Sequence, residues 1–306
     1  MTAVVLPPGV SVLERGWLSS NNILIQGPHT TALIDSGYCT HAEQTLSLLQ
    51  SALGGRPLDM LVNTHLHSDH CGGNAALKAA YPSLQTQIPP GHAEHVRVWD
   101  AYALSYTPTG QSCPQFRFDD TLRPGTDILL GDRIWQVHAA PGHDPHSVIL
   151  FEPESRTLVS ADALWERGFG VVFPELDGDS AFQEVGDTLD LIESLQPRVV
   201  IPGHGAPFTD VMLALAVARK RLQGFVDQPD KHRLYAAKVL LKFKLLEAQA
   251  MEHGALQAWA LGTGYFASLL DSPDATVSAP SAVDALVQDL VRSGAATVLG
   301  TRIYNA

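Results

Sequence analysis

Four residues in the run Asn63-Thr64-His65-Leu66-His67-Ser68-Asp69-His70-Cys71-Gly72-Gly73-Asn74 could bind a metal: His65, His67, Asp69 and His70. Imidazole nitrogen and carboxylate oxygen both suit zinc and its neighbours among the transition metals. A lone histidine in a polar loop would carry no such meaning. The pattern His-x-His-x-Asp-His is different, because donors packed this densely are costly unless a cation bridges them. The run follows Met60-Leu61-Val62, an apolar stretch of strand length, and Gly72-Gly73 lets the chain turn sharply afterwards. Ligands at the C-terminal end of a buried strand are held by a rigid element and open into a crevice, which is where α/β folds place their chemistry.

Three further donors close apolar, strand-like runs: His143 in Pro141-Gly142-His143, Asp162 in Ser160-Ala161-Asp162, and His204 in Pro202-Gly203-His204-Gly205. Each alone would be ordinary. Together with His65-x-His67-x-Asp69-His70, and in this order, they resemble the motifs of the metallo-β-lactamase superfamily of hydrolases, over roughly residues 20–210. The turn Asp35-Ser36-Gly37 matches one that the superfamily keeps near its metals. The resemblance implies an α/β fold, an αββα sandwich, carrying two divalent transition-metal ions, zinc in first place and iron or manganese as alternatives. By the same resemblance His65, His67 and His143 hold one ion, Asp69, His70 and His204 hold the second, and Asp162 bridges them. Seven ligands for two ions leave room for a bridging hydroxide and a substrate, which marks an open catalytic site. Asp69 is then the candidate catalytic residue, orienting the hydroxide and taking its proton; pure ligation is the alternative role.

The sequence departs from the family pattern in two places. After His143 it reads Asp144-Pro145-His146-Ser147, one residue shorter than the Thr-Pro-Gly-His-Ser run of many relatives. Ala161 stands where glycine is common. Asp162 in place of a cysteine argues against one branch of the true β-lactamases.

These donors need positioning elements, and the hydropathy pattern supplies them. Residues 22–26 and 31–35 read as strands around Gly27-Pro28-His29, and His41 to Leu53 as a helix stopped by Gly54-Gly55. Asn74–Ala80 reads as helix and Gln85–Ile88 as strand. Ile128–Leu130, Ile134–His138, Val148–Phe151 and Thr157–Ser160 read as antiparallel strands, followed by a helix over Asp179–Leu195 and a strand over Arg198–Ile201. Residues 89–125, with Trp99, Tyr102 and Tyr106, form a long insertion suited to a lid or substrate wall. His92 and His95 within it suit packing better than ligation. Trp165 and Phe169, tethered closely behind Asp162, are candidates for the pocket edge, with burial in the core as the competing role.

Beyond Asp210 the pattern turns helical: Val211–Phe225, His232–Gln249, Ala255–Leu270 and Ser281–Arg292, then a small hairpin over Thr297–Tyr304. This resembles, loosely, the winged-helix appendage of some metallo-β-lactamase-like proteins. The expected organisation is a catalytic domain over residues 1–226 and a mainly helical C-terminal domain over 227–306.

Composition narrows the function classes. The 306 residues carry a net charge of −12, with 45% hydrophobic and 17% charged residues, as expected of a soluble globular chain. Residues 1–218 hold 10 Lys+Arg against 24 Asp+Glu, whereas 219–306 hold 10 against 8. So acidic a first part argues against a broad nucleic-acid footprint. No apolar run reaches membrane-span length, and no basic residue precedes a hydrophobic N-terminal stretch, so neither a membrane anchor nor a signal peptide is expected. Cys39, Cys71 and Cys113 are odd in number and scattered, which fits a reducing compartment, the cytoplasm. The first functional expectation is hydrolysis of an ester-like bond (thioester, lactone or β-lactam) in a small-molecule substrate, a ligand set shared with hydroxyacylglutathione hydrolases. The alternative is a phosphodiesterase or ribonuclease gripping its substrate with the C-terminal domain. Lys231, Lys238 and Lys242 fall on one helical stripe that could track a phosphate backbone or form a solvated face. A di-iron electron-transfer protein is disfavoured by His67 and by the lack of a flavodoxin-like segment. Metal binding without catalysis is the plain alternative.

Overall fold

The structure is a computed structural model that describes residues 4–270 and 278–306. Two sheets face one another. The first runs in the order β1 (Val10–Leu13), β2 (Asn22–Gln26), β3 (Thr31–Ile34), β4 (Met60–Val62), β5 (Gln85–Ile88) and β6 (Asp120–Thr121). It is antiparallel from β1 to β3 and parallel from β3 to β6. The second contains β7 (Asp127–Leu130), β8 (Arg133–Ala139), β9 (Val148–Glu152), β10 (Thr157–Ala161) and β11 (Val199–Pro202), an antiparallel meander closed by the parallel pair β10–β11.

The period of two along each strand explains the layering. Ile23, Ile25, Ile34 and Val62 point into the space between the sheets, where they meet Val148, Leu150, Val159 and Ile201 of the second sheet around the fully buried Trp135. Their neighbours Leu24, Leu33 and Leu61 face the other way, onto Leu49 and Leu53 of the helix Ala42–Leu53 and Leu77 of the helix Asn74–Ala80. On the second sheet Ile149, Phe151, Leu158 and Val200 face the helices Phe182–Leu195 and Val211–Asp227. Strands covered on both faces read as continuous apolar runs, which is why their limits are clear in the sequence. The result is the expected αββα sandwich.

The helices Pro229–Ala248, His253–Gly262, Gly264–Leu270 and Ala279–Arg292 gather a further core from Ala236, Leu240, Leu256, Phe266 and Leu286, joined by Ile303 of the last strand. A three-stranded sheet closes it: β12 (Ala250–Glu252) pairs with β14 (Arg302–Asn305), which forms the expected hairpin with β13 (Ala296–Leu299). The single helix expected over Ala255–Leu270 is two, broken at Thr263 between Gly262 and Gly264.

Candidate metal centre

All the predicted donors lie at C-terminal ends of strands along one edge of the sandwich. His65, His67, Asp69 and His70 follow β4, His143 follows β8, Asp162 follows β10, and His204 follows β11. Potential ligand atoms come together in three overlapping sets, each within 4.8 Å: His65, His67 and His143; His65, His70 and Asp162; Asp69, His70 and His204. The Asp162 carboxylate reaches several rings at once. Oδ1 lies 3.5 Å from His70 Nε2, and Oδ2 lies 3.5 Å from His143 Nε2 and 3.8 Å from His204 Nε2.

Each imidazole is fixed by the nitrogen it turns away from the centre. His70 Nδ1 is 2.7 Å from Asp35 Oδ2, and His65 Nδ1 is 3.1 Å from Thr64 Oγ1. Thr64 is itself tied to Asp35, whose Oδ1 accepts from the Thr64 amide at 2.9 Å and whose Oδ2 accepts from its hydroxyl at 2.8 Å. His143 Nδ1 donates to the Val171 carbonyl (2.5 Å) and His204 Nδ1 to that of Gly16 (3.2 Å). His67 turns Nδ1 toward His143 (2.9 Å) and Nε2 toward the buried Asp144 (3.8 Å). Partners of this kind select the tautomer and aim the free lone pair. The aimed atoms Nε2 of His65 and of His70 are buried and have no hydrogen-bond partner. A buried polar atom left without a partner costs free energy, and here a cation would satisfy it.

The electrostatics point the same way. Burial, with the neighbouring imidazoles, holds His65 well below its ordinary pKa and pulls His67 down to about 4, so both keep a lone pair available. Burial opposes protonation of His70 and His204 as well, but Asp162 and the other carboxylates outweigh it and raise both. Burial likewise works against ionised Asp69 and Asp162, yet the adjacent imidazoles keep them below the usual carboxylate range. A cation would find ionised oxygens on Asp69 and Asp162 and open lone pairs on His65 and His67, and it would take the place of the protons that the carboxylates hold on His70 and His204. The donor set therefore fits divalent transition metals.

Close backbone approach makes this possible at two glycines. A Cβ on Gly170 would lie 2.3 Å from His143 Nδ1, and one on Gly203 would lie 2.2 Å from Asp162 Oδ1.

The centre opens into a cavity of about 680 Å³. Trp165 lines it, and its indole Nε1 donates to Asp162 Oδ1 at 3.2 Å. Phe169 does not line it, contrary to the pocket-edge expectation. It is 1% exposed and packs edge-on to Phe225, because the loop closes on itself between Trp165 and Gly168 and sends Phe169 inward. The insertion supplies part of the wall, but through Ser105, Thr109 and Gln111 rather than its aromatics. Trp99 and Tyr106 pack inside the insertion, and Tyr102 is exposed. His92 packs against His146 and takes no place at the centre, and Cys71 is buried beside Leu66 and Tyr106. The lysine stripe is neither a free track nor a plain solvated face. Lys238 pairs with Asp289 at 3.5 Å, and Lys242 donates to the carbonyls of Ala295 and Ala306 and to Asn305 Oδ1.

Some site residues had no clear signal in the sequence. Trp17 stacks on the His204 ring at 5.3 Å from its partly exposed position. Asn21 binds the carbonyls of Pro202 and Gly205, steadying the loop that carries His204. The signal for Asp144 is its place directly after a donor, in Pro141-Gly142-His143-Asp144.

A model of the metallo-beta-lactamase superfamily matches residues 15–204, well over half of the chain. The chain belongs to that superfamily. Among curated relatives, a hydroxyacylglutathione hydrolase from Synechococcus sp. (strain JA-3-3Ab) is 30% identical over 76% of this chain and 79% of its own length. One from Brucella anthropi is 28% identical over 61% of this chain, and the match spans only 58% of that relative's length. Among solved structures, a metallo-beta-lactamase family protein from Thermus thermophilus superposes with a TM-score of 0.60 at 21% identity, covering 99% of this chain and 100% of that one. The fold is thus shared over nearly the full length of both chains. Membership, with the His/Asp clusters, makes the protein a metal-dependent hydrolase. No helix among the described residues is long and apolar enough to cross a membrane.

Proposed function

We propose that the centre binds two divalent ions and hydrolyses an ester-like bond (thioester, lactone or β-lactam) in a small molecule, with the thioester first because the curated relatives are named for hydroxyacylglutathione. The observation that carries this reading is the convergence of seven donors from four strand ends on two unpartnered buried imidazole nitrogens. In it His65, His67 and His143 hold one ion, and Asp69, His70 and His204 hold the other. Asp162 spans both, as its distances to His70, His143 and His204 support. The metals, zinc first and iron or manganese as alternatives, would lower the pKa of a water toward neutrality and polarise the scissile carbonyl.

The chain's own part is positioning and proton transfer. Asp69 is the catalytic candidate. Both Asp69 and Asp162 line the cavity, but the Asp69 side chain is 15% exposed against 6% for Asp162, so it is the acid better placed to orient a water and accept its proton. Trp165 and Trp17 shield the His204 side from bulk water. We also propose that residues 1–226 are the catalytic unit and 227–306 a helical unit walling the cavity, in a cytoplasmic setting in keeping with three unpaired cysteines. The phosphodiesterase alternative loses support because Lys238 and Lys242 are already tied up within the protein.

Elemental analysis of metal-loaded protein should give close to two ions per chain, and chelation should lower Tm. Asp69→Asn should keep at least one ion and lose most turnover of a thioester reporter. Full turnover in that variant, or one ion at saturation, would refute this assignment.

A further inference from the structure

The cavity beside the centre has a chemical character of its own. Phe173 lies edge-on to the His67 and His143 rings, at 4.9 and 5.6 Å, so the wall turns apolar directly beside the proposed ligands. Across the cavity the helix Pro229–Ala248 presents Val239, Phe243 and Leu246, spaced four and three residues apart on one face. Phe173 and Val239 also pack against the C-terminal core, whereas Phe243 and Leu246 are only half-buried and, among the described residues, join none of the packed hydrophobic cores. Apolar side chains aimed into a cavity rather than a core are what a hydrophobic ligand requires.

The polar groups there point to the same ligand by being engaged. Lys242 commits its donors to Ala295, Asn305 and Ala306, an ammonium having only three. Lys238 faces Asp289, and the Arg221 guanidinium lies over the Tyr235 ring at 4.4 Å. Among the cations lining the cavity, Arg167 alone is exposed, at the rim. A polyanionic substrate would have to break these pairings. At about 30 Å³ per water-sized group, 680 Å³ has room for on the order of twenty heavy atoms.

We infer that the substrate carries a medium-length apolar acyl chain, lodged between Phe173 and the Val239–Phe243–Leu246 face, with its ester or thioester carbonyl at the centre. This rests on the reading of the site as an ester-cleaving hydrolase. Water adds to the acyl carbon, the C–O or C–S bond breaks, the alcohol or thiol leaves with a proton, and the carboxylic acid remains.

The test is a chain-length series, acetyl to dodecanoyl, as p-nitrophenyl esters and as N-acetylcysteamine thioesters, with metal-loaded protein. kcat/KM should climb by up to about fourfold per methylene until the cavity is full. Leu246→Trp should cut the decanoyl-to-butyryl ratio at least tenfold. A second readout does not depend on turnover: decanoate should raise Tm, and butanoate at the same concentration should not. A flat series, or S-lactoylglutathione turned over more than tenfold faster than the decanoyl thioester, overturns the apolar-chain assignment while leaving ester hydrolysis intact. A decanoate-dependent rise in Tm without turnover of any ester sinks the hydrolytic reading instead and leaves the apolar site standing.

Discussion

Replacing Asp35 with asparagine tests whether the centre is organised from behind its donors. Asp35 is 2% exposed and touches no proposed substrate path, yet its carboxylate accepts three hydrogen bonds: from the Thr64 amide (2.9 Å), the Thr64 hydroxyl (2.8 Å) and His70 Nδ1 (2.7 Å). The Asn side chain has nearly the same shape and can still accept from the Thr64 amide. Its amide nitrogen, however, faces two donors that need an acceptor. His70 then loses the bond that fixes its tautomer and turns Nε2 inward, and Thr64 loses the anchor by which it orients His65. Outer-shell changes of this kind cost about 10- to 100-fold in metal affinity, or roughly 1.4–2.8 kcal/mol. Competition with a chromogenic chelator would measure that loss, and thermal unfolding of metal-free protein would report the change in stability separately. Asp35→Glu, which keeps the charge but overfills the space, should not rescue affinity fully. Metal affinity within twofold of the parent in Asp35→Asn would show that the backbone alone sets the rings, and the positioning argument would fall.

Three further outcomes are expected. Ala161 sits at φ 46, in the left-handed region, one residue before Asp162, so Ala161→Gly should relieve strain worth about 1 kcal/mol and raise Tm by about 2 °C, read by calorimetry with metal content unchanged. Phe169→Ala should cost about 3–5 kcal/mol of stability with KM changed little, since the ring fills core space rather than the cavity; a raised KM at unaltered Tm would return Phe169 to the pocket. His232 is buried and accepts from the Val172 amide at 3.0 Å; burial, with Arg221 nearby, pulls its pKa down to about 4. The unfolded chain then binds the extra proton first, so the His232 contribution is complete above about pH 6.5 and is lost as pH falls toward 4, on the order of 3 kcal/mol in all. Denaturant titrations from pH 7 to 4 should show that decline, and His232→Gln should flatten it.

What could be read from the sequence follows from how locally each feature is encoded. Strands β2, β3, β9, β10 and β11 are buried on both faces, so their apolar runs stand out, and Asp162 and His204 after β10 and β11 can be placed on rigid elements before any coordinates. The two-residue β6 has too few residues to show a period, and the alternation in β1 is short and only partly buried. Trp165 and Phe169 are both aromatic and lie in one glycine-containing loop. What separates them is the backbone closure from Trp165 to Gly168, a contact no composition reveals. The lysine stripe shows the same limit. Helical spacing puts the three residues on one face, but the acceptors of Lys242 come from Ala295, Asn305 and Ala306, more than fifty residues away. The break at Thr263 is encoded in Gly262-Thr263-Gly264, but the hydrophobic pattern running through both helices masks that signal in the sequence.

The division of labour in this molecule lies between what the sandwich fixes and what the rest of the chain adds to it. The donors and their outer partners belong almost entirely to the sandwich and would serve many hydrolytic reactions, since a fold and its metals do not choose a substrate. The cavity wall is assembled differently. Tyr38, on the sandwich, donates to Glu247 of the helix Pro229–Ala248 at 2.7 Å and accepts from the Ser112 amide of the insertion at 3.1 Å, while its ring meets Phe243 edge-on. Ser68, beside Asp69, donates to Gln111 at 2.5 Å. Metal loop, insertion and C-terminal helix are therefore clamped to one another next to the centre. A change in the length or apolar face of that helix would alter what fits between Phe173 and Leu246 without moving a donor. On the proposed reading, substrate choice resides in that contact and the reaction in the seven donors below it.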